Sequence, residues 1–292
     1  MKQRLFWMFF LLLVTLPTGC SKTEEQPAAE DQQAVVDEGP AKPKVGDMIL
    51  IPAGEFIMGN DKEKYASPQH KDDVPAYYID AYEVTFGQWI EFVTKSGYSE
   101  ESDWRSFYTV GKESFPVANI TQDDAKAYAK WAGKRLPSEE EWEKAARGTE
   151  GFLYPWGNTW DPTKSNCGEY GMRNTVEVGQ MKLDKSPFGV YDMMGNVQEW
   201  TVDELLPYKG NKNTDDINFK RGYAVARGSS FMFFPSKGGG MFTYTRSAYF
   251  PKAQYGLGFR CVKDAEAPKT TSNPQPKLLA MLFPKFTELE AR

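Results

Sequence analysis

The residues best equipped for chemistry lie in Gly189-Val-Tyr-Asp-Met-Met-Gly-Asn-Val-Gln-Glu-Trp200. Two carboxylates, Asp192 and Glu199, are strung along a segment where Gly189 and Gly195 permit tight turns. That is how a loop presents oxygen ligands to a hard cation such as calcium. The same carboxylates can also cap backbone amides in a turn that holds no metal. Side chains that do covalent chemistry are scarce elsewhere. His70 is the one histidine, in a polar stretch ahead of a strand, so any Ser-His-Asp or Cys-His arrangement must use it. No nucleophile elbow is present. Gly238-Gly-Gly240 is not followed by a Lys-Ser/Thr helix start and reads as a loop, not a phosphate cradle. Acidic residues are plentiful, but none are paired in a way that marks glycoside hydrolysis.

The elements that must position the segment are short. Met48 to Gly59 reads as strand, turn, strand around Pro52-Ala-Gly54, and Tyr77 to Glu83 as a further strand. Thr85 caps a first helix, with Gln88 completing a capping box and Trp89, Phe92 and Val93 on one face. Thr121 opens a second, with Asp123 and Asp124 near its start, a buried stripe of Ala125, Tyr128, Ala129 and Ala132, and Gly133 as its stop. Ser138 and Glu141 box a third, with Trp142, Ala145 and Ala146 inward and Gly148 at its end. Beyond Gly148 the chain is rich in Gly, Asn, Trp and Tyr, has no helical period, and reads as loop-dominated. Its order is expected to come from bound cations and buried aromatics. No internal repeat is found.

The chain has 292 residues, 40% hydrophobic, enough for one large core. A net charge of -5 with no basic block argues against a nucleic-acid partner. Lys2 and Arg4 precede an apolar run from Leu5 to Leu16 that is short for a membrane span, and Leu16-Pro-Thr-Gly-Cys20 follows. Residues 1–19 therefore read as a lipoprotein signal peptide and Cys20 as the lipidated mature N-terminus, anchoring the chain to a membrane. Pro17 departs from the usual lipobox. Ser21, by resemblance to enterobacterial sorting, points to the outer membrane. From Cys20 to residue 46 the chain reads as a disordered tether, 47–264 as the folded domain, and 265–292 as linker and tail. With Cys20 carrying lipid, Cys167 and Cys261 are the only possible disulfide partners, a pairing left open.

Further blocks occur in order along the folded region: Ile51-Pro-Ala-Gly-Glu-Phe-Ile-Met-Gly59, Ile79-Asp-Ala-Tyr-Glu-Val-Thr85, Phe115-Pro-Val-Ala-Asn119, Trp131-Ala-Gly-Lys-Arg-Leu-Pro-Ser-Glu-Glu-Glu-Trp142, Tyr154-Pro-Trp-Gly-Asn158, Arg227-Gly-Ser-Ser-Phe231 and Gly256-Leu-Gly-Phe-Arg-Cys261. Together with the opening segment they resemble the formylglycine-generating enzyme, or sulfatase-modifying factor, family. The resemblance implies an irregular α+β fold related to C-type lectins, with few helices, short strands and many loops. It also implies calcium at the Asp192 and Glu199 side chains with the Gly195 and Val197 carbonyls. A second site would use Asn166 and the Cys167 carbonyl, with Glu169 and Asp184 as candidates for its acid. The oxidase members hold Cu(I) between two closely spaced cysteines, since soft thiolates suit that ion. Their first position falls here on Phe233 and their second near Lys237 or Gly238, so copper is not expected. Cys261 matches a structural cysteine of the family whose usual partner position reads Ala146. An iron-dependent branch draws its ligands from a histidine-rich domain, and with one histidine iron is not expected either.

The family's substrate groove maps to the aromatic stretch holding Ser230, Phe231, Phe233, Phe234, Tyr244 and Arg246, which either lines a groove or packs a loop-rich core. The reading is a non-catalytic, lipid-anchored envelope binding or assembly module that recognises a protein segment or glycan. The alternative is an oxidoreductase-type protein-modifying enzyme with an unrecognised metal site. Calcium-dependent stability without a redox metal marks the first, and redox-metal binding with turnover the second.

Overall fold

The computed structural model describes residues 41–237 and 241–266. The signal segment, Cys20, nearly all of the tether, the tail beyond 266 and the triglycine lie outside the described residues. The chain divides after Lys42, and all of the described strands and helices belong to the unit that begins at Pro43.

Four strands come first: β1 (Met48–Ile51), β2 (Gly54–Met58), β3 (His70–Val74) and β4 (Tyr77–Asp80). Then come three helices, α1 (Phe86–Ser96), α2 (Gln122–Trp131) and α3 (Glu139–Arg147). The second half supplies β5 (Gln198–Glu204), β6 (Ala224–Arg227), β7 (Ser247–Tyr249), β8 (Leu257–Gly258) and β9 (Val262–Asp264). Strands β1, β4 and β9 form one antiparallel sheet, so the domain's first and last strands lie in the same layer. β2 and β3 make a two-stranded ribbon, and β7-β6-β5-β8 a sheet in which β8 runs parallel to β5.

All three helix starts follow their local signals. Thr85 and Ser138 close full capping boxes with Gln88 and Glu141, and the Thr121 hydroxyl accepts from Asp124 N. The apolar faces of α1 and α2 meet in one cluster, where the rings of Trp89 and Tyr128 stack at 6.1 Å and Phe259 meets Tyr128 edge-on at 5.3 Å. Two expectations needed correction. The strand from Tyr77 stops at Asp80, because Ala81 N turns to Asp47 O and Glu83 directs its carboxylate at the 196–197 backbone. The half beyond Gly148 is not held by loops alone, since β5 is the longest strand described and centres a four-stranded sheet. Its Gln198-Glu-Trp-Thr201 start is buried throughout and so lacks the apolar/polar alternation of a half-exposed strand.

Helix α3 is buried on nearly every side, charges included. Glu143 pairs with Arg147 at 2.6 Å and Arg227 at 2.5 Å, and Glu139 with Arg227 at 3.2 Å and Arg246 at 2.5 Å. Lys144 Nζ donates to the carbonyls of Pro52 at 2.8 Å and Gly54 at 2.7 Å. Asp203 on β5 accepts from Glu139 N at 2.7 Å. Burial, then the charges of Glu139 and Glu140, push its carboxyl up to about 6.

Removing one partner of a buried pair leaves the other charged and desolvated, at a cost of about 3–5 kcal/mol. Arg227→Ala should lose stability on that scale in denaturant unfolding, whereas breaking the exposed Lys95–Glu91 pair should cost under about 1 kcal/mol. For Asp203 the folded chain holds a proton between about pH 4 and 6 that the unfolded chain has released. Its contribution therefore declines as pH rises through that window. Asp203→Asn keeps the acceptor and should match the parent near pH 4 but exceed it by about 2–3 kcal/mol above pH 6. Unfolding curves across pH 4–8 measure this directly.

Candidate functional site

The Gly189–Trp200 segment runs from a loop into β5, so Glu199 stands on a strand and not in the tight turn the sequence suggested. The turn itself holds Asp192 and Asn196 in the left-handed region, at φ 57° and 66°, which short polar side chains tolerate. Gly195 lies against Asn166, and a Cβ on it would sit 2.7 Å from Asn166 N. Asn196 N donates to Asn166 O at 2.8 Å, and Asn166 Nδ2 to Asn196 Oδ1 at 3.1 Å. The two segments read separately as calcium sites are thus one packed unit.

Four buried carboxylates converge there: Glu83, Asp184, Asp192 and Glu199. One guanidinium, Arg260, answers them. It donates to Glu199 twice, through Nε at 2.6 Å and Nη2 at 2.7 Å, and Trp142 Nε1 donates to the same carboxylate at 2.8 Å. Glu199, expected as a cation ligand, is therefore engaged in a bidentate ion pair. Glu83, to which sequence reasoning gave no role, accepts from Asn196 Nδ2 at 2.9 Å and Val197 N at 3.0 Å. Its position within Tyr82-Glu-Val84, an acid in an apolar run, was the available signal. Burial drives the Glu83 and Asp184 carboxyls well above the ordinary carboxylate range, and the Asp192 charge adds to it.

Buried oxygens without a hydrogen-bond partner remain on Asp184 (Oδ1), Asn166 (Oδ1) and Ser165 (Oγ). Asp184 Oδ2 accepts from Met194 N and Asn166 packs on Gly195, so both orphans flank one two-residue stretch. Unpartnered oxygens of this kind are the ligand type that suits a hard cation. Of the two candidate acids, Asp184 keeps an open oxygen, while Glu169 ties Trp160 Nε1 at 2.9 Å to Ser236 N at 2.6 Å. Among the described residues no three His, Cys, Asp or Glu side chains are grouped so as to hold a metal by themselves, so a cation here must also use amide and carbonyl oxygens. Cys167 and Cys261 are both buried and free, which answers the open question of their pairing.

The groove residues divide. Ser230, Phe231, Tyr244 and Arg246 are buried, and Arg246 belongs to the frame through Glu139 and the carbonyls of Tyr65 and Leu206. Reading these four as groove lining is corrected to scaffold. Phe233 is half-buried and Phe234 is exposed. Phe233 packs against the cluster of Tyr154, Met194 and Met241, which Leu153, Trp156, Trp160 and Phe242 also cover, and its carbonyl accepts from Gly168 N at 2.7 Å. The rings of Tyr154 and Trp156 stack at 5.5 Å and 10°. The sequence signal for this face is the pair Trp156 and Trp160, of which the family block contains only the first.

The described residues form an irregular α+β scaffold with a buried acidic centre and an adjoining aromatic face. The chain belongs to the family of the sulfatase-modifying factor enzyme 1-like domain, which it matches over residues 32–265. It is similar to the formylglycine-generating enzyme of Mus musculus, 28% identical over 316 residues, covering 84% of this chain and 82% of that protein. It is equally similar to the inactive C-alpha-formylglycine-generating enzyme 2 of Mus musculus, 29% identical over 279 residues, with 76% and 87% covered. Among solved structures, PvdO from Pseudomonas aeruginosa shares the fold at a TM-score of 0.58 and 23% identity, covering 77% of this chain and 100% of that one.

The Gly195 contact is backbone against backbone, so the added methyl of Gly195→Ala has no flexible neighbour to displace. It should cost about 1–3 kcal/mol or more and loosen the Asn166–Asn196 pairing. Thermal unfolding of the variant beside the parent checks this.

Proposed function

We propose that this chain is a pseudoenzyme: a non-catalytic, lipid-anchored envelope protein that keeps the family fold as a binding or assembly module. The observation that carries the reading is Phe233. It occupies the position where the resemblance puts the first copper thiolate, and its ring is packed into an aromatic cluster. A Cu(I) site needs converging soft ligands. The thiols among the described residues, Cys167 and Cys261, are both buried, and neither lies in that segment. Near-equal identity to an enzyme and to an inactive relative leaves the choice to the site itself. The partner is a protein segment or a glycan, met on the aromatic face beside Phe233 and Phe234. The lipid on Cys20 holds the chain at the outer membrane.

Calcium at the acidic centre would be held by Asp184, Asn166 and Asp192 with the carbonyls of Cys167, Gly195 and Val197, and with Glu199 already shared with Arg260. Its contribution is charge compensation that orders the loops under the aromatic face.

Metal analysis of the full chain, purified in detergent without chelator and titrated separately with Cu(I), tests the reading. We expect about one or two calcium ions per chain, a fall in unfolding temperature on chelation, and loss of that chelator response in Asp184→Asn. Stoichiometric copper or iron would overturn it in favour of an oxidoreductase.

A further inference from the structure

We infer that a recess next to the aromatic face binds an acidic peptide segment that carries an apolar side chain. The inference rests on the binding-module reading and names the partner's chemistry. The recess has a volume of about 390 Å³, and Lys164, Lys182, Tyr170, Met181 and Leu183 form most of its wall, with Thr163 and Gln180 completing it. No acidic residue lines it.

The two lysines are the first part of the argument. Neither takes part in any of the ion pairs found among the described residues, although the chain as a whole is acidic, at -5. The acid nearest Lys164 in sequence, Asp161, feels the Lys164 charge but spends its hydrogen bonds on Thr163, accepting from its hydroxyl at 2.6 Å and its N–H at 2.9 Å, and the acid nearest Lys182, Asp184, is buried. Lys164 Nζ lies 5.8 Å from the centre of the Trp156 ring, which joins the recess to the aromatic face. An anionic partner is therefore favoured in the recess.

The second part is the apolar surface. Leu183 is 59% exposed and Tyr170 42%, with Met172, two residues on from Tyr170, at 51%, while Met181 is buried at 7%. Large side chains this open, grouped around one recess, mark an interface and not packing. Aliphatic Met181 and Leu183 suit a leucine or phenylalanine side chain better than a sugar, whose ring hydroxyls would be desolvated against them. A flat lipid surface does not reach a buried Met181 inside a concavity. The Gln180 amide, which both donates and accepts, suits the peptide backbone that links the partner's carboxylates to its apolar residue.

The test is a selection of random nonapeptides displayed on phage against the full chain, followed by anisotropy titrations of labelled winners. We expect enrichment of Asp or Glu flanking Leu, Phe or Tyr, and affinity that falls as salt rises. Lys164→Glu with Lys182→Glu should weaken the winners at least tenfold. Leu183→Ser should weaken them independently, and Lys182→Arg should leave them nearly intact. All are surface changes, and unchanged unfolding temperatures confirm that the variants fold. Enrichment of basic or uncharged peptides, no enrichment, or winners indifferent to the lysine pair overturns the inference, as does binding of heparin or anionic vesicles in place of peptides. If Trp156→Ala abolishes binding while the lysine variants do not, the recess assignment fails and the broader module reading survives. Copper in the metal assay sinks the broader reading without touching the peptide result.

Discussion

The structure depends on one buried ion pair, Arg260 with Glu199. The guanidinium donates to Glu199 on β5, to the Asp80 carbonyl at the end of β4 and to the Tyr191 carbonyl in the acidic loop. Trp142 of α3 closes the arrangement by donating to the same carboxylate. One side chain thereby joins both main sheets, the central helix and the candidate cation loop. In a fold whose strands run from two to seven residues, no single element carries enough backbone hydrogen bonds to set its neighbours' positions. Charged side chains that reach several carbonyls at once take over that task. The cost is desolvation, which is offset because every nitrogen of the guanidinium has an acceptor.

Helix α3 extends the same principle. Glu139, Glu143 and Arg147 lie buried on a helix covered on nearly every side; Arg147 pairs with Glu143, and the two carboxylates take further counter-charges from Arg227 on β6 and Arg246 ahead of β7. Breaking any one link leaves a buried charge, which makes the frame cooperative: the pieces form together or not at all. The acidic centre is the exception to this matching. Glu83, Asp184, Asp192 and Glu199 face a single Arg260, and orphaned oxygens remain on Asp184 and Asn166. Orphaned oxygens on Asp184 and Asn166 gathered at one buried centre call for a function, and a bound cation is the one proposed above.

Local chemistry was legible in the sequence, and long-range pairing was not. The helix starts at Thr85, Thr121 and Ser138 were readable because a cap and its partner lie three residues apart. The β1–β2 turn was readable from Pro52-Ala-Gly54. The family blocks made the fold itself legible. The burial of Glu139, Glu143 and Arg246 was not, because their contacts span 84 to 107 residues and no periodicity encodes them. Strand β5 was hidden for a related reason. Its polar residues Gln198, Glu199 and Thr201 are buried by partners from other elements, so the run lacks the pattern of either an exposed or an apolar strand. The aromatic stretch misled in the opposite way. The resemblance mapped a groove to it with core packing as the alternative, and of the six residues named only Phe233 and Phe234 reach the surface, while Arg246 is buried against Glu139.

This division between frame and surface explains how chemistry can be altered while the fold persists. Arg227 and Arg260 sit within the very blocks that carry the family resemblance, and both serve the ionic frame. Position 233 does not. Its side chain joins a cluster of rings and methionines where an apolar residue packs, and its link to Gly168 runs through the backbone carbonyl, which any residue supplies. Placing phenylalanine there gains apolar contact and breaks no ion pair. The neighbouring Trp156, Trp160, Tyr170 and Lys164 are likewise outside the frame, attached to it by ring packing and by Glu169. Selection on such a surface can change what it recognises at little cost in stability. A substitution at Arg260 or Glu199 cannot do so, because it would leave a bare charge where two sheets and a helix meet.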